Sequence, residues 1–239
     1  MAMAMGAAGQ MPADPDLARD LQWITYSGDH AVTRRWGVHF EASLRLEDDS
    51  AWTQWLLRPG VSYQLGRHVQ LSAWYAHTAT HAQGFSGRDG AQPEHRLQQQ
   101  LTVAQPFRRW RLTHRFRLDQ RFLGSGTVGG AERVWRLQHR PRYMVRLEAP
   151  LRNTDGPGSV YAAFSNELLF RLGYAGQSAL DQNRFYGGLG VRPSRPLVIE
   201  AGLMHQRYQP LAGGAAQNNV VLLVTVKNQM PLRRLLGLE

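Results

Sequence analysis

The 239-residue sequence predicts an all-β fold, an antiparallel up-and-down transmembrane β-barrel of about 10 strands, with 12 as the alternative count. Three observations carry that prediction. Residues 36–46 alternate without a break, with Trp36, Val38, Phe40, Ala42, Leu44 and Leu46 on one face and Gly37, His39, Glu41, Ser43 and Arg45 on the other. A period of two is the signature of a strand. The run is about as long as a membrane-crossing strand, roughly 9–11 residues. Its polar face holds a carboxylate and a guanidinium, which a packed apolar core rarely accepts. Lipid on one side and a wet lumen on the other would satisfy both faces. Finally, short and long connections alternate along the chain, as they do where short turns gather at one end of a barrel and long loops at the other.

The remaining strands follow in order. After Asp48-Asp49-Ser50, residues 54–65 set Trp55, Leu57, Pro59, Val61, Tyr63 and Leu65 against Gln54, Leu56, Arg58, Gly60, Ser62 and Gln64. Gly66-Arg67 makes a hairpin turn into 69–78, and the glycine-containing stretch 80–94 reads as a loop. Residues 96–104 and 110–122 form the next pair, and 134–147 follows a glycine-rich loop at 124–131. A Pro/Gly connection at 150–159, longer than its side of the barrel prefers, leads to strands at 160–172, 183–192, 197–208 and 219–228, with breaks at 173–180, 193–196 and 210–216. Counted from Trp36 there are ten, an even number that puts both chain ends on the short-turn side. Residues 21–26 are a short strand or a tethered piece; if they span, a further strand is hidden and the count is twelve. Residues 1–19 read as a mobile leader or the remnant of an export segment, 20–228 as one barrel domain and 229–239 as a C-terminal tail.

Composition narrows the class. No run approaches the roughly 18 apolar residues of a spanning helix. The absence of cysteine removes disulfides and Cys-based metal sites. The formal charge is +10, and Lys227 is the only lysine. A basic chain raises nucleic acid as a partner, but here the arginines occupy alternate strand positions instead of a patch or helix, so no nucleic-acid partner is expected. Trp36, Trp52, Trp55, Trp110 and Trp135 lie near strand starts and Tyr63, Phe122 and Tyr208 near strand ends. Rings placed so suit two membrane interfaces, although aromatics also favour the edges of soluble sheets. The expected location is the bacterial outer membrane, with its lipid as partner, although no export signal is visible in the chain.

Tyr161 to Leu172 (YAAFSNELLFRL), Leu180 to Val191 (LDQNRFYGGLGV), Leu203-Met204-His205-Gln206 and Asn218-Asn219-Val220 resemble the domain of unknown function 2490 family, with Leu44-Arg45-Leu46 in its early arginine-containing strand. The resemblance runs from about Leu21 to Asn228. It implies an exported bacterial barrel and brings no catalytic residues. The last strand is followed by residues 229–239 and does not end on an aromatic, a departure from the usual outer-membrane assembly signal.

The candidate site is the polar face of the strands. Arg111, Arg115, Arg117, Arg121, Arg136, Arg140, Arg142 and Arg146 would point inward, with Glu41, Asp119, Glu167 and Glu200 as partners. Arg45 and Arg184 join them, the latter from Asp181-Gln182-Asn183-Arg184 as a partner for Glu167 or Glu200. Two readings stand: a hydrogen-bonded ionic ladder filling the interior, or an anion-preferring passage or pocket for a small anionic solute or lipid. On the apolar face, His114 and His139 would come close if their hairpin pairs in register. A lipid-modifying site there would need a nucleophile, and no serine adjoins either residue. His39 and Ser43 are about 13 Å apart along a strand. His77, His81, Asp89 and His95 match no standard metal spacing. Gly124-Ser125-Gly126 and Gly187-Gly188-Leu189-Gly190 open no helix and so cradle no phosphate; the latter pair of glycines suits close strand packing. No catalytic residue, metal or cofactor is predicted. The expected function is an envelope barrel with an arginine-rich, ion-paired lumen. The alternatives are an outer-wall lipid-modifying enzyme, or a soluble lipocalin-like barrel with Trp36, Phe40, Leu112 and Phe116 inside.

Overall fold

The computed structural model describes residues 19–47, 52–82, 92–125, 134–152, 156–174, 177–209 and 216–237. Eleven strands close one barrel: β1 (Arg19–Ala31), β2 (Trp36–Glu47), β3 (Trp52–Gln64), β4 (Val69–Ala82), β5 (Gln92–Phe107), β6 (Trp110–Ser125), β7 (Val134–Arg152), β8 (Ser159–Tyr174), β9 (Gln177–Ser194), β10 (Leu197–Tyr208) and β11 (Gln217–Asn228). One turn of helix, α1 (Leu232–Leu235), follows. Consecutive strands pair antiparallel, and the ring closes where β1 meets β11 in parallel, from Arg19↔Asn219 to Gly28↔Asn228.

The count is therefore neither ten nor twelve. The segment at 21–26 is the core of a full strand whose alternation is weak, because Gln22 shares its outward face with Ile24. An odd number of crossings also corrects the placement of the chain ends. The first strand starts at the end of the barrel where β4 and β6 stop, and the last strand stops at the opposite end. A parallel closing pair follows directly from that odd number.

Strands also run into stretches that read as loops. β4 continues to Ala82 and β5 begins at Gln92, while the predicted break at 173–180 leaves only residues 175–176 between β8 and β9. β7 continues through Pro150 to Arg152 with a register shift between those two residues. Pro59 and Pro141 also interrupt pairing within strands. The β3·β4 pairing passes from Leu57↔His77 to Gly60↔Trp74 across Pro59, and β7·β8 from His139↔Leu172 to Arg142↔Leu169 across Pro141. A residue without an N–H interrupts a ladder in this way. Of the predicted leader, residues 1–18 lie outside the described residues.

The two faces are unambiguous. Phe40, Phe116 and Trp36 are 42%, 48% and 52% exposed on the outer wall, whereas Arg117 and Arg140 are buried inside. The lipocalin-like alternative, with those aromatics inside and the arginines in water, is thereby corrected. Interior rings need room, and glycines supply it: a Cβ on Gly60 would meet the Trp74 indole, and one on Gly190 would meet the Tyr161 ring. This close packing, expected for the 187–190 glycines, holds at Gly190 and at Gly188, where a Cβ would meet the Tyr186 hydroxyl, but not at Gly187. Tyr161 cannot swing aside freely because its hydroxyl donates to Glu200 Oε2 at 2.7 Å. Gly190→Val is expected to destabilise the barrel by about 1–3 kcal/mol, the usual range for overpacking, read as a lower urea midpoint in detergent. Gly66→Ala, with open space around it, should leave the midpoint unchanged.

Candidate functional site: the ionic interior

Alternate residues of β5 to β8 point inward, and a register shift beside Asp181 lets β9 turn both Asp181 and Arg184 inward, which brings acids and bases from five strands to one place. Asp119 on β6 is fully buried and accepts from Gln98 Nε2 at 2.7 Å, Arg140 Nη2 at 3.2 Å and Arg142 Nη1 at 3.3 Å. Arg142 also reaches Glu167 on β8, with Nη2 2.7 Å from both carboxylate oxygens. Glu167 takes a further bond from Arg115 Nη2 at 2.7 Å and lies 3.6 Å from Arg184 Nη1. Arg140 extends the chain to Asp181 at 3.6 Å, which Arg171 also binds. Glu94 holds Arg96 at 2.6 and 2.8 Å and pairs with Arg121, whose Nη1 donates to Gln138 at 2.8 Å. Such guanidinium–carboxylate forks offset the desolvation of buried charge.

A second cluster centres on Glu200 of β10. Its Oε2 accepts from Arg146 Nη2 at 2.6 Å, Lys227 Nζ at 3.0 Å and the Tyr161 hydroxyl, while Arg146 Nε donates to Glu148 at 3.0 Å. Toward β2, Glu41 pairs with Arg58, and His39 Nδ1 lies 2.7 Å from Asp29.

The predicted lumen residues divide by depth. Glu41, Arg45, Arg115, Arg117, Asp119, Arg121, Arg140, Arg142, Arg146, Glu167, Arg184 and Glu200 all face this interior, and Arg184 pairs with Glu167 as the motif suggested. Arg111 and Arg136 lie shallower. Arg111, near the start of β6, has a side chain 55% exposed and 3.7 Å from Glu148; Arg136, near the start of β7, is exposed. Sequence reasoning passed over Glu94, Arg96 and Arg171. Glu94 fell inside a presumed loop, yet the inward series Glu94, Arg96, Gln98, Gln100 shows the same alternation as β6.

Among the described side chains, two tryptophans also point inward. Trp74 stacks on His39 with ring centroids 4.6 Å apart, and Arg58 and Arg117 lie over it at 4.8 and 4.7 Å. Trp23 carries Arg45 at 4.0 Å and Arg184 at 5.4 Å. These are cation–π distances.

The outer wall holds the histidines apart. His114 lies opposite Val145 and hydrogen-bonds the Tyr143 hydroxyl at 2.9 Å, whereas His139 lies opposite Gln120 and Leu172. Six residues of strand, about 20 Å, separate the two levels, so the hairpin does not bring His114 and His139 together. His77 and His95 are directly opposed on β4 and β5, with ring centroids 5.0 Å apart, between Trp55 and Trp135. Asp89 and the side chain of His81 lie outside the described residues, and among those described no group of three His, Asp or Glu could hold a metal. Trp36 and Tyr63 pack edge-to-face at 4.8 Å at the other end of the wall. Tyr208, predicted as an interface ring, instead lies 5.7 Å from Arg171 inside.

A closed all-β barrel with an apolar outer wall and an ion-paired interior is the class these features define; no described helix is long and apolar enough to cross a membrane. The chain belongs to the family described as protein of unknown function DUF2490, which matches residues 21–218, from β1 into the start of β11. Comparisons with curated proteins and with solved structures returned no match.

Proposed function

We propose that the protein is an outer-membrane β-barrel of the bacterial envelope, with a narrow, arginine-rich, ion-paired lumen that favours anions. One observation carries this reading: the polarity is inverted relative to a soluble protein. Leu57, Leu97, Phe116, Leu137, Phe164 and Leu203 lie 40–58% exposed on successive parts of the wall, while Asp119, Arg140, Glu167 and Glu200 are buried. Water would penalise that outer wall, and lipid would accept it. The rows of rings near the two ends fit interface girdles. Inside, cross-linked guanidiniums leave no reason for a wide pore, and their excess over carboxylates would favour anions in any water-filled path.

The test is heat modifiability. The protein should need detergent for extraction and should migrate differently on a gel before and after boiling; in planar bilayers any conductance should be small and anion-selective. A protein that stays monodisperse without detergent would overturn the membrane reading.

A further inference from the structure

The two inward indoles are set up alike. Each lies against two guanidiniums, one of which has a carboxylate: Arg58 beside Trp74 pairs with Glu41, and Arg184 beside Trp23 lies 3.6 Å from Glu167. The other has no carboxylate within ion-pair distance among the described residues and is held by a glutamine oxygen. Arg117 gives Nε and Nη2 to Gln100 at 2.9 and 2.6 Å, and Arg45 gives Nη1 to Gln54 at 2.7 Å.

They differ in what is left over. At Trp74 Arg117 commits its Nε and only that of Arg58 is buried without a hydrogen-bond partner, whereas at Trp23 the Nε groups of both Arg45 and Arg184 are. Both belong to guanidiniums on the same Trp23 ring. The charges that act most strongly on Arg45 are Arg184, Arg96 and Arg142 against a single carboxylate, Glu41. A buried donor left unbonded is costly unless an acceptor joins it, and because Arg184 has Glu167 at 3.6 Å and Gln182 at 2.7 Å the shortfall of negative charge falls chiefly on Arg45. Planar forks fixed against an indole offer the geometry that oxyanions bind best.

We infer that Arg45 and Arg184, held on Trp23, form a lumenal binding site for one small oxyanion, a carboxylate or a phosphate. This rests on the reading of the interior as an anion-accepting lumen. The bound anion would supply the acceptor that Gln54 only partly provides.

Barrel folded in detergent is titrated with sodium phosphate or sodium acetate against sodium chloride at constant ionic strength, and the temperature at which the unboiled mobility is lost is recorded. One of the two oxyanions should raise that temperature above the chloride value, and Arg45→Gln should abolish the rise. Should Arg45→Gln not fold, Gln54→Glu decides, because it sets a carboxylate beside Arg45 Nη1. It should raise the unfolding temperature in chloride and weaken the oxyanion response about tenfold or more. Equal temperatures in all three salts, or an unchanged response in Gln54→Glu, would overturn the site. A barrel that shifts on boiling yet ignores oxyanions refutes only the site; extraction without detergent refutes the membrane reading alone.

Discussion

Asp119→Ala is expected to destabilise the barrel by about 3–5 kcal/mol, the cost of removing one partner from a buried ionic group. The carboxylate is fully buried and is shared by Arg140, Arg142 and Gln98. Among the described residues, its loss leaves Arg140 with Asp181, at 3.6 Å, and Arg142 with Glu167 as their carboxylate partners. Urea titration in detergent, read by far-UV circular dichroism and by the unboiled gel band, measures the effect. Arg111→Ala is the comparison, because its pair with Glu148 is 3.7 Å long and its side chain is 55% exposed; a contact of that kind contributes little in water. Equal midpoints for the two variants would mean that the interior network does not stabilise the fold.

The second large effect is on the outer wall. Phe116→Arg places a guanidinium on the face of β6, at a residue 48% exposed and packed 5.0 Å from Tyr143. Near the middle of a bilayer the substitution should cost about 2–4 kcal/mol, and near an interface about 0–1 kcal/mol. Phe107→Arg, at the end of β5 where the side chain is 61% exposed, is the shallow counterpart. Refolding into lipid vesicles should therefore suffer far more from the first change than from the second. Equally small losses would mean that the wall does not contact hydrocarbon.

Much of this was legible because the barrel separates polar and apolar residues at every step. The alternations of Arg115, Arg117, Asp119 and Arg121 on β6, and of Arg140, Arg142 and Arg146 on β7, placed those side chains inside before any partner was known. What was missed has physical reasons. β1 mixes Gln22 into its outward face, so it reads as half a strand, and with it went the odd count. β7 and β9 have 19 and 18 residues, well beyond the roughly 9–11 that cross a bilayer, so their ends lay in apparent loops. Trp74 looked like any aromatic in a strand; the gap at Gly60 and the stack on His39 show that its ring turns inward. The pairing of His114 with His139 failed because spacing along two strands does not fix register, and a shift of a few residues separates groups that share a face.

The parallel seam governs how the ring comes to exist. β1 and β11 are joined by Arg19↔Asn219 to Gly28↔Asn228, so closure requires the two ends of the barrel sequence to find each other across all the intervening hairpins. Each hairpin can zip locally, but this contact bears the largest loop-closure entropy in the molecule and should form last. The inner side of the seam is mixed: Lys227 of β11 reaches Glu200, and Trp23 of β1 carries Arg45 and Arg184. Leu21, Trp23, Leu223 and Val221 pack with Tyr161, Tyr186 and Met204. The final step of folding therefore buries apolar side chains and seats Lys227 beside Glu200 at once, so its rate should respond to salt through that pair.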